Sequence, residues 1–169
     1  MRRLLLMRHA KSDWDGSARA DHDRPLASRG ERSARTMGEA LRAMGEVPDL
    51  IVSSTAVRAE ATAELARLAG GWPCPLHLDG DLYGSGPETV LEVAARHGGD
   101  AERLMLVGHE PTWSLLIAKL TGARAQVKTG TVAGVDLDIA SWEQAPDARG
   151  TLAFLLPPRM LIREEDGGR

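Results

Sequence analysis

Apolar residues along this chain fall into two patterns. Leu4-Leu5-Leu6-Met7, Leu50-Ile51-Val52 and Leu104-Met105-Leu106-Val107 are short, unbroken runs, which is how a strand reads when helices cover both of its faces in a parallel sheet. Between these runs apolar positions recur three and four residues apart, the period of a helix with one buried side. The spacing predicts a helix over 28–44 with Ala34, Met37, Leu41 and Met44 turned inward. Ser28-Arg29-Gly30-Glu31 would open it as a capping box, the Ser28 hydroxyl accepting from the Glu31 amide while Glu31 reaches back. A second helix is expected over 55–69, with Ala61, Leu65 and Leu68 in the core and Gly70-Gly71 as its stop. Helices over 88–96 and 111–120 follow, the latter with Pro111 in the first helical position. Leu76-His77-Leu78 reads as a short strand.

The last third changes pattern. Val135, Leu137 and Ile139 alternate with Asp136 and Asp138, the signature of a half-exposed antiparallel strand. Its partner is the stretch 151–156, reached across a loop that holds Pro146 and Gly150. Strand and helix signals that alternate and then give way to a strand pair describe an α/β protein whose mostly parallel sheet carries an antiparallel C-terminal pair. A chain of 169 residues suits one domain. We assign it to residues 1–163 and read 164–169 as a solvated, disordered tail.

Composition narrows the functions open to such a fold. Hydrophobic residues make up 43% and charged residues 27%, as in ordinary soluble domains. A net charge of -3 gives no general attraction to nucleic acid or anionic membranes, so any affinity for anions must be local. Cys74 is the single cysteine, which excludes an internal disulfide and leaves no Cys/His cluster for structural zinc. That usage fits a cytoplasmic protein. The apolar run behind Arg2-Arg3 ends at Met7, short of the ~7–15 residues of a signal-peptide core.

The chemistry lies where the buried strands end. If the apolar runs are neighbouring parallel strands, their C-terminal ends bring together Arg8 and His9, the stretch from Ser53 to Arg58, and His109. Open α/β sheets bind ligands at that edge. Two guanidiniums and two imidazoles make a phosphate site, because each arginine offers a planar fork that matches two phosphoryl oxygens. A carboxylate would also fit the arginines, but it has no use for two histidines. One imidazole can accept a phosphoryl group on nitrogen while the other stabilises charge on the equatorial oxygens.

Leu6-Met7-Arg8-His9-Ala10-Lys11-Ser12 resembles the Arg-His-Gly/Ala signature of the histidine phosphatase superfamily, the phosphoglycerate-mutase-like fold. Arg58 after Ser53-Ser54, followed by Thr62-Ala63, resembles its second motif, and Val107-Gly108-His109-Glu110-Pro111 its third. The Arg-His-Ala-Lys-Ser-x-Trp opening, Asp23-Arg24-Pro25-Leu26 with Arg29-Gly30, and the compact length are most similar to the SixA-type phosphohistidine phosphatases. Three motifs in order, on matching elements over roughly residues 3–135, make the resemblance specific.

The resemblance implies a three-layer α/β/α sandwich and phosphoryl transfer through a covalent phosphohistidine. Carried over, His9 is the nucleophile, Arg8 and Arg58 hold the phosphoryl oxygens, and His109 donates to them. No metal or organic cofactor is implied, since arginine and histidine supply the positive charge. Lys11 and Ser12 in the first loop, and Thr129 in Lys128-Thr129-Gly130, are further candidates for binding the phosphate or substrate. Mutases and many phosphatases of the superfamily take a general acid from the loop after the third strand, where this chain has Asp79 and Asp81. Acid phosphatases place one directly after the second histidine, where it has Glu110.

The implied activity is hydrolysis of phosphohistidine, borne on a protein, with neither nucleic acid nor membrane as partner. Two alternatives stand beside it: a phosphatase of small phosphomonoesters, and a non-catalytic phosphate-binding regulatory module. His22, His77 and His97 read as surface residues, and Asp23 and Arg24 either shape the entrance or simply pair with each other. Trp14 flanks the pocket or caps the core, while Trp72, Trp113 and Trp142 read as packing residues.

Overall fold

The structure is a computed structural model that describes residues 1–14 and 18–162. The expected tail, 164–169, lies outside them. Six strands form one sheet: β1 (Arg2–Arg8), β2 (Leu50–Ser53), β3 (Leu76–Leu78), β4 (Arg103–Gly108), β5 (Val132–Leu137) and β6 (Gly150–Leu156). Their order across the sheet is β3-β2-β4-β1-β5-β6. β1, β2, β3 and β4 run parallel to one another, whereas β5 is antiparallel to both β1 and β6. Four helices cover the faces: α1 (Ser28–Ala43), α2 (Val57–Gly70), α3 (Pro87–His97) and α4 (Thr112–Thr121).

The unbroken apolar runs are explained by the two-residue period of a strand. Leu4, Leu6, Leu104 and Leu106 join a cluster with residues of α3 and α4 such as Val90, Val93, Trp113 and Ile117. Leu5, Met7, Met105 and Val107 join another with Met37, Leu41, Ala59 and Ala63 of α1 and α2. Each strand thus feeds two cores, and the architecture is the three-layer α/β/α sandwich of the phosphoglycerate-mutase-like fold. Among the described residues, no helix is long and apolar enough to cross a membrane.

Several expectations need correction. The capping box does not form: Ala27 is the N-cap of α1, no side chain caps it, and the Glu31 amide bonds to the Ala27 carbonyl. Ser28 is already helical, because the Ala27 amide is taken by the Lys11 carbonyl and the chain must turn there. Met44 is 48% exposed and lies past the end of α1. In α2 the inward face is Ala59, Thr62, Ala63 and Ala66, not Ala61, Leu65 and Leu68, and Leu68 is 63% exposed. The reason is close helix packing. A Cβ on Gly38 of α1 would fall 2.0 Å from the Ala66 carbonyl oxygen, so only small side chains fit between α1 and α2. Leu65 and Ala61 are displaced sideways against Ala10, Leu26 and Ala34. Pro111 is the N-cap of α4 rather than its first residue, and it follows a cis peptide bond. β5 is largely buried on both faces, since Ala133, Val135 and Leu137 pack into one core and Val132 into the other. Gly71 does stop α2, with φ +60° and its amide on the Arg67 and Leu68 carbonyls.

Candidate active site

The parallel strands end together because backbone bonds tie their exits. The His9 amide donates to the Gly108 carbonyl at 2.9 Å, and the Ser54 amide to Val107 at 2.9 Å. On the other side the Arg8 amide bonds to Thr131, and the Gly130 amide reaches the carbonyls of Arg8 and His9. Trp113, buried in α4, donates its indole N–H to the Met7 carbonyl at 2.9 Å, across the space that Gly108 leaves open. Thr62 links the second motif to the first: its hydroxyl donates to the Arg58 carbonyl at 2.6 Å and accepts from the Ala10 amide at 3.0 Å. These ties bring Arg8, His9, Arg58 and His109 to one sheet edge, with the His9 and His109 ring centroids 5.3 Å apart.

His9 is buried, and its Nδ1 lies 2.8 Å from the Ala10 carbonyl oxygen. A carbonyl can only accept, so the ring proton sits on Nδ1 and the neutral ring keeps a lone pair on Nε2. Burial lowers the His9 pKa to about 4; the Ala10 bond resists the shift, while Arg58, Arg8 and Arg24 add to it. Burial lowers His109 further, to about 3, helped by His9, Arg58 and Arg8 and opposed by Asp21. Both imidazoles are therefore neutral near pH 7. His109 Nε2 is 2.8 Å from the Ser54 hydroxyl, which also accepts from the Ala56 amide.

The arginines are charged but incompletely satisfied. Arg8 donates through Nη1 to the Val127 carbonyl at 3.0 Å, and its buried Nε has no partner. Burial and the neighbouring Arg58 pull its pKa down, against the pull of Glu110. Arg58, 5% exposed, donates to the Asp21 carbonyl and carboxylate, and its Nε is likewise without a partner. Buried N–H groups in such a state are suited to an anionic ligand.

The three candidate acids are engaged elsewhere. Both Glu110 oxygens accept from Ser114, one from its amide at 2.9 Å and one from its hydroxyl at 2.6 Å, so the side chain caps the start of α4. Asp79 accepts from Arg96, His97 and the Asp81 amide; burial raises its pKa, but those bonds hold it below the usual carboxylate range. Asp81 shares Arg96. Lys11 is exposed, and its carbonyl accepts from Ala27. Ser12 is buried in an isolated bridge with Leu26. Thr129 directly precedes the Gly130 amide that bonds Arg8 and His9.

Other readings change. Arg24 pairs with Asp21 rather than Asp23, and its guanidinium lies 3.7 Å from the ring centroid of Trp14, which is 72% exposed beside it. His22 shares a hydrogen bond with Thr55, and His97 with Asp79, so neither is a free surface residue. Trp113 and Trp142 anchor carbonyls as well as pack. Sequence reasoning missed Asp21, Ser54 and Tyr83 as partners of the central residues. Nothing in their local spacing marks them, since every contact crosses between distant segments. Among the described residues, no group of three or more His, Cys, Asp or Glu is placed to hold a metal ion.

A mixed sheet gathers two neutral histidines and two arginines at the edge where its parallel strands end, an arrangement suited to an anion. Residues 4–83 match the histidine phosphatase superfamily (branch 1). An uncharacterised protein of Mycobacterium tuberculosis is 46% identical over 125 residues, covering 72% of this chain and 75% of that protein. An uncharacterised chloroplastic protein of Arabidopsis thaliana is 33% identical over 153 residues, covering 85% and 70%. Among solved structures, a candidate phosphohistidine phosphatase SixA from Nakamurella multipartitia superimposes with a TM-score of 0.81 at 31% identity, covering 94% of this chain and 96% of the other. The chain belongs to the histidine phosphatase superfamily.

Proposed function

We propose that this chain is a phosphohistidine phosphatase that acts on a protein-borne substrate in the cytoplasm, through a covalent intermediate on His9. The observation that carries the reading is the environment of His9: buried, neutral, with Nδ1 held by the Ala10 carbonyl so that Nε2 keeps the lone pair. Only a neutral imidazole can attack phosphorus. Nε2 forms a bond to phosphorus as the bond to the leaving group breaks in line, and the leaving atom takes that electron pair. Water then attacks phospho-His9, the P–Nε2 electrons return to the ring, and phosphate departs. Arg8 and Arg58 offset the charge on the phosphoryl oxygens throughout. With the Ser54 hydroxyl donating its hydrogen bond to His109 Nε2, the neutral ring keeps its proton on Nδ1 to donate to a phosphoryl oxygen.

The state of the carboxylates supports the choice of substrate. An alkoxide leaving group, with a parent pKa near that of water at ~15.7, needs a proton as it leaves. Glu110, Asp79 and Asp81 are all held in other bonds. A phosphohistidine that carries a proton on its other ring nitrogen releases neutral imidazole, whose conjugate acid has a pKa of ~6.5, without such help. The likeness to the SixA structure points the same way.

The test compares a phosphohistidine peptide with an alkyl phosphate, using wild type, Glu110→Gln, Asp79→Asn and Asp81→Asn. The peptide should be turned over by every variant and the alkyl ester poorly even by wild type. Preference for the alkyl ester, lost selectively in one variant, would establish a phosphomonoesterase with that carboxylate as its acid, because general acids contribute ~10²–10⁴-fold.

A further inference from the structure

Asp21 sits in a short turn of the first loop, far in sequence from Arg58 and Tyr83 and three residues before Arg24. Its carbonyl accepts from Arg58 Nη1 at 2.7 Å, and its Oδ2 accepts from Arg58 Nη2 at 2.9 Å. The same Oδ2 accepts from the Tyr83 hydroxyl at 2.8 Å, and Oδ1 lies 3.1 Å from Arg24 Nε. Tyr83 in turn sets its ring edge against His109, with centroids 5.3 Å apart. One carboxylate therefore joins two arginines and, through a tyrosine, reaches the second histidine. Arg58 retains three N–H groups beyond the two that Asp21 occupies, and its buried Nε has no partner at all. An arginine loses much rotamer freedom when it grips a ligand, so a guanidinium already fixed by its two end nitrogens has less to lose.

We propose that Asp21 is a positioning residue: bridging Arg24 and Arg58 and anchored by Tyr83, it presets the Arg58 guanidinium for the phosphoryl group. The proposal rests on the reading that Arg58 holds that group, and it does not depend on whether the substrate is phosphohistidine. Asp21 stays ionised in this role, as the hydrogen bond from Tyr83 and the neighbouring arginines hold its pKa below the usual range despite some burial.

The experiment measures vanadate inhibition and kcat/KM on p-nitrophenyl phosphate for wild type, Asp21→Ala, Asp21→Asn, Tyr83→Phe, Arg58→Ala and the Asp21→Ala/Arg58→Ala double variant. Asp21→Ala should weaken vanadate binding roughly tenfold, the size expected of a coupled pair. Asp21→Asn should recover part of this, because its amide oxygen still accepts from Arg58, and Tyr83→Phe should show a smaller loss of the same kind. In the Arg58→Ala background, Asp21→Ala should change nothing further. Additive losses would mean that Asp21 acts on the fold and not through Arg58, and tighter vanadate binding would mean that it competes with the anion. Either result overturns the proposal. If Asp21→Ala does not fold, the cycle is run with Asp21→Asn and read in the same way. Unchanged vanadate affinity in Arg58→Ala alone would refute the role given to Arg58, and this proposal with it.

Discussion

β1 begins and ends with the same side chain used in opposite ways. Arg3, near its start, donates to Glu46 and Asp136, both at 2.7 Å. Burial opposes its charge, but these two carboxylates more than offset that and raise its pKa. Arg8, at the other end, is bonded to no carboxylate among the described residues, has one backbone acceptor and an unpartnered Nε, and its pKa is lowered. At one edge of the sheet the protein neutralises its own cation; at the other it leaves the cation with an unpartnered donor, as the proposed phosphoryl site requires. A charge with no bonded counterion in a poorly hydrated place costs stability, and such costs persist where function needs them.

The largest effect expected at the ligand edge is from His9→Ala, which should lower turnover by roughly 10³-fold or more while the far-UV spectrum and melting temperature stay close to wild type. Acid-labile phosphate trapped on the wild type and missing from the variant would place the covalent bond. The contrast between the arginines is tested by two matched substitutions. Arg8→Met should cost roughly 10²–10³-fold in kcat/KM with a melting temperature unchanged or raised. Arg3→Met should do the reverse, losing roughly 1–2 kcal/mol of stability with catalysis intact. If Arg3→Met harms turnover as much as Arg8→Met, the two ends of β1 are not functionally distinct.

The pH dependence follows from the lowered His9 pKa of about 4. The unfolded chain, with an ordinary imidazole near ~6.5, binds a proton at pH values where folded His9 does not. Stability is thus full above the unfolded pKa and falls as pH drops from ~6.5 towards about 4, by on the order of 1 kcal/mol per pH unit for this group. Urea titrations at pH 7 and 5, with His9→Gln as the control lacking this contribution, measure it. The smallest effect is at Ser54: losing its hydroxyl in Ser54→Ala should reduce kcat/KM roughly fivefold by freeing the His109 ring, and a larger loss would place Ser54 nearer the chemistry.

Much of this was legible in the chain itself. A strand covered on both faces must be apolar at consecutive positions, so the runs at Leu4, Leu50 and Leu104 could hardly read otherwise, and the residues that end them converge at one edge. Local backbone chemistry also placed the stop of α2 at Gly71 and the antiparallel pairing of β5 with β6. The inward face of α2 was not legible. Leu65 and Leu68 are the more hydrophobic residues, yet the nearness of Gly38 to the Ala66 carbonyl admits only small side chains. Hydrophobicity is a property of one residue; the room between two helices belongs to the pair. The same distinction governs the site. Arg8, His9, Arg58 and His109 stood out because each ends a strand or opens a helix, but Asp21, Ser54 and Tyr83 gain their roles only from bonds spanning 37, 55 and 62 residues of chain. Sequence determined which elements form and which side chains they deliver to one edge. Tertiary structure alone decided which of those side chains are already paired and which keep unpartnered donors, because pairing depends on distances between segments that no local pattern encodes.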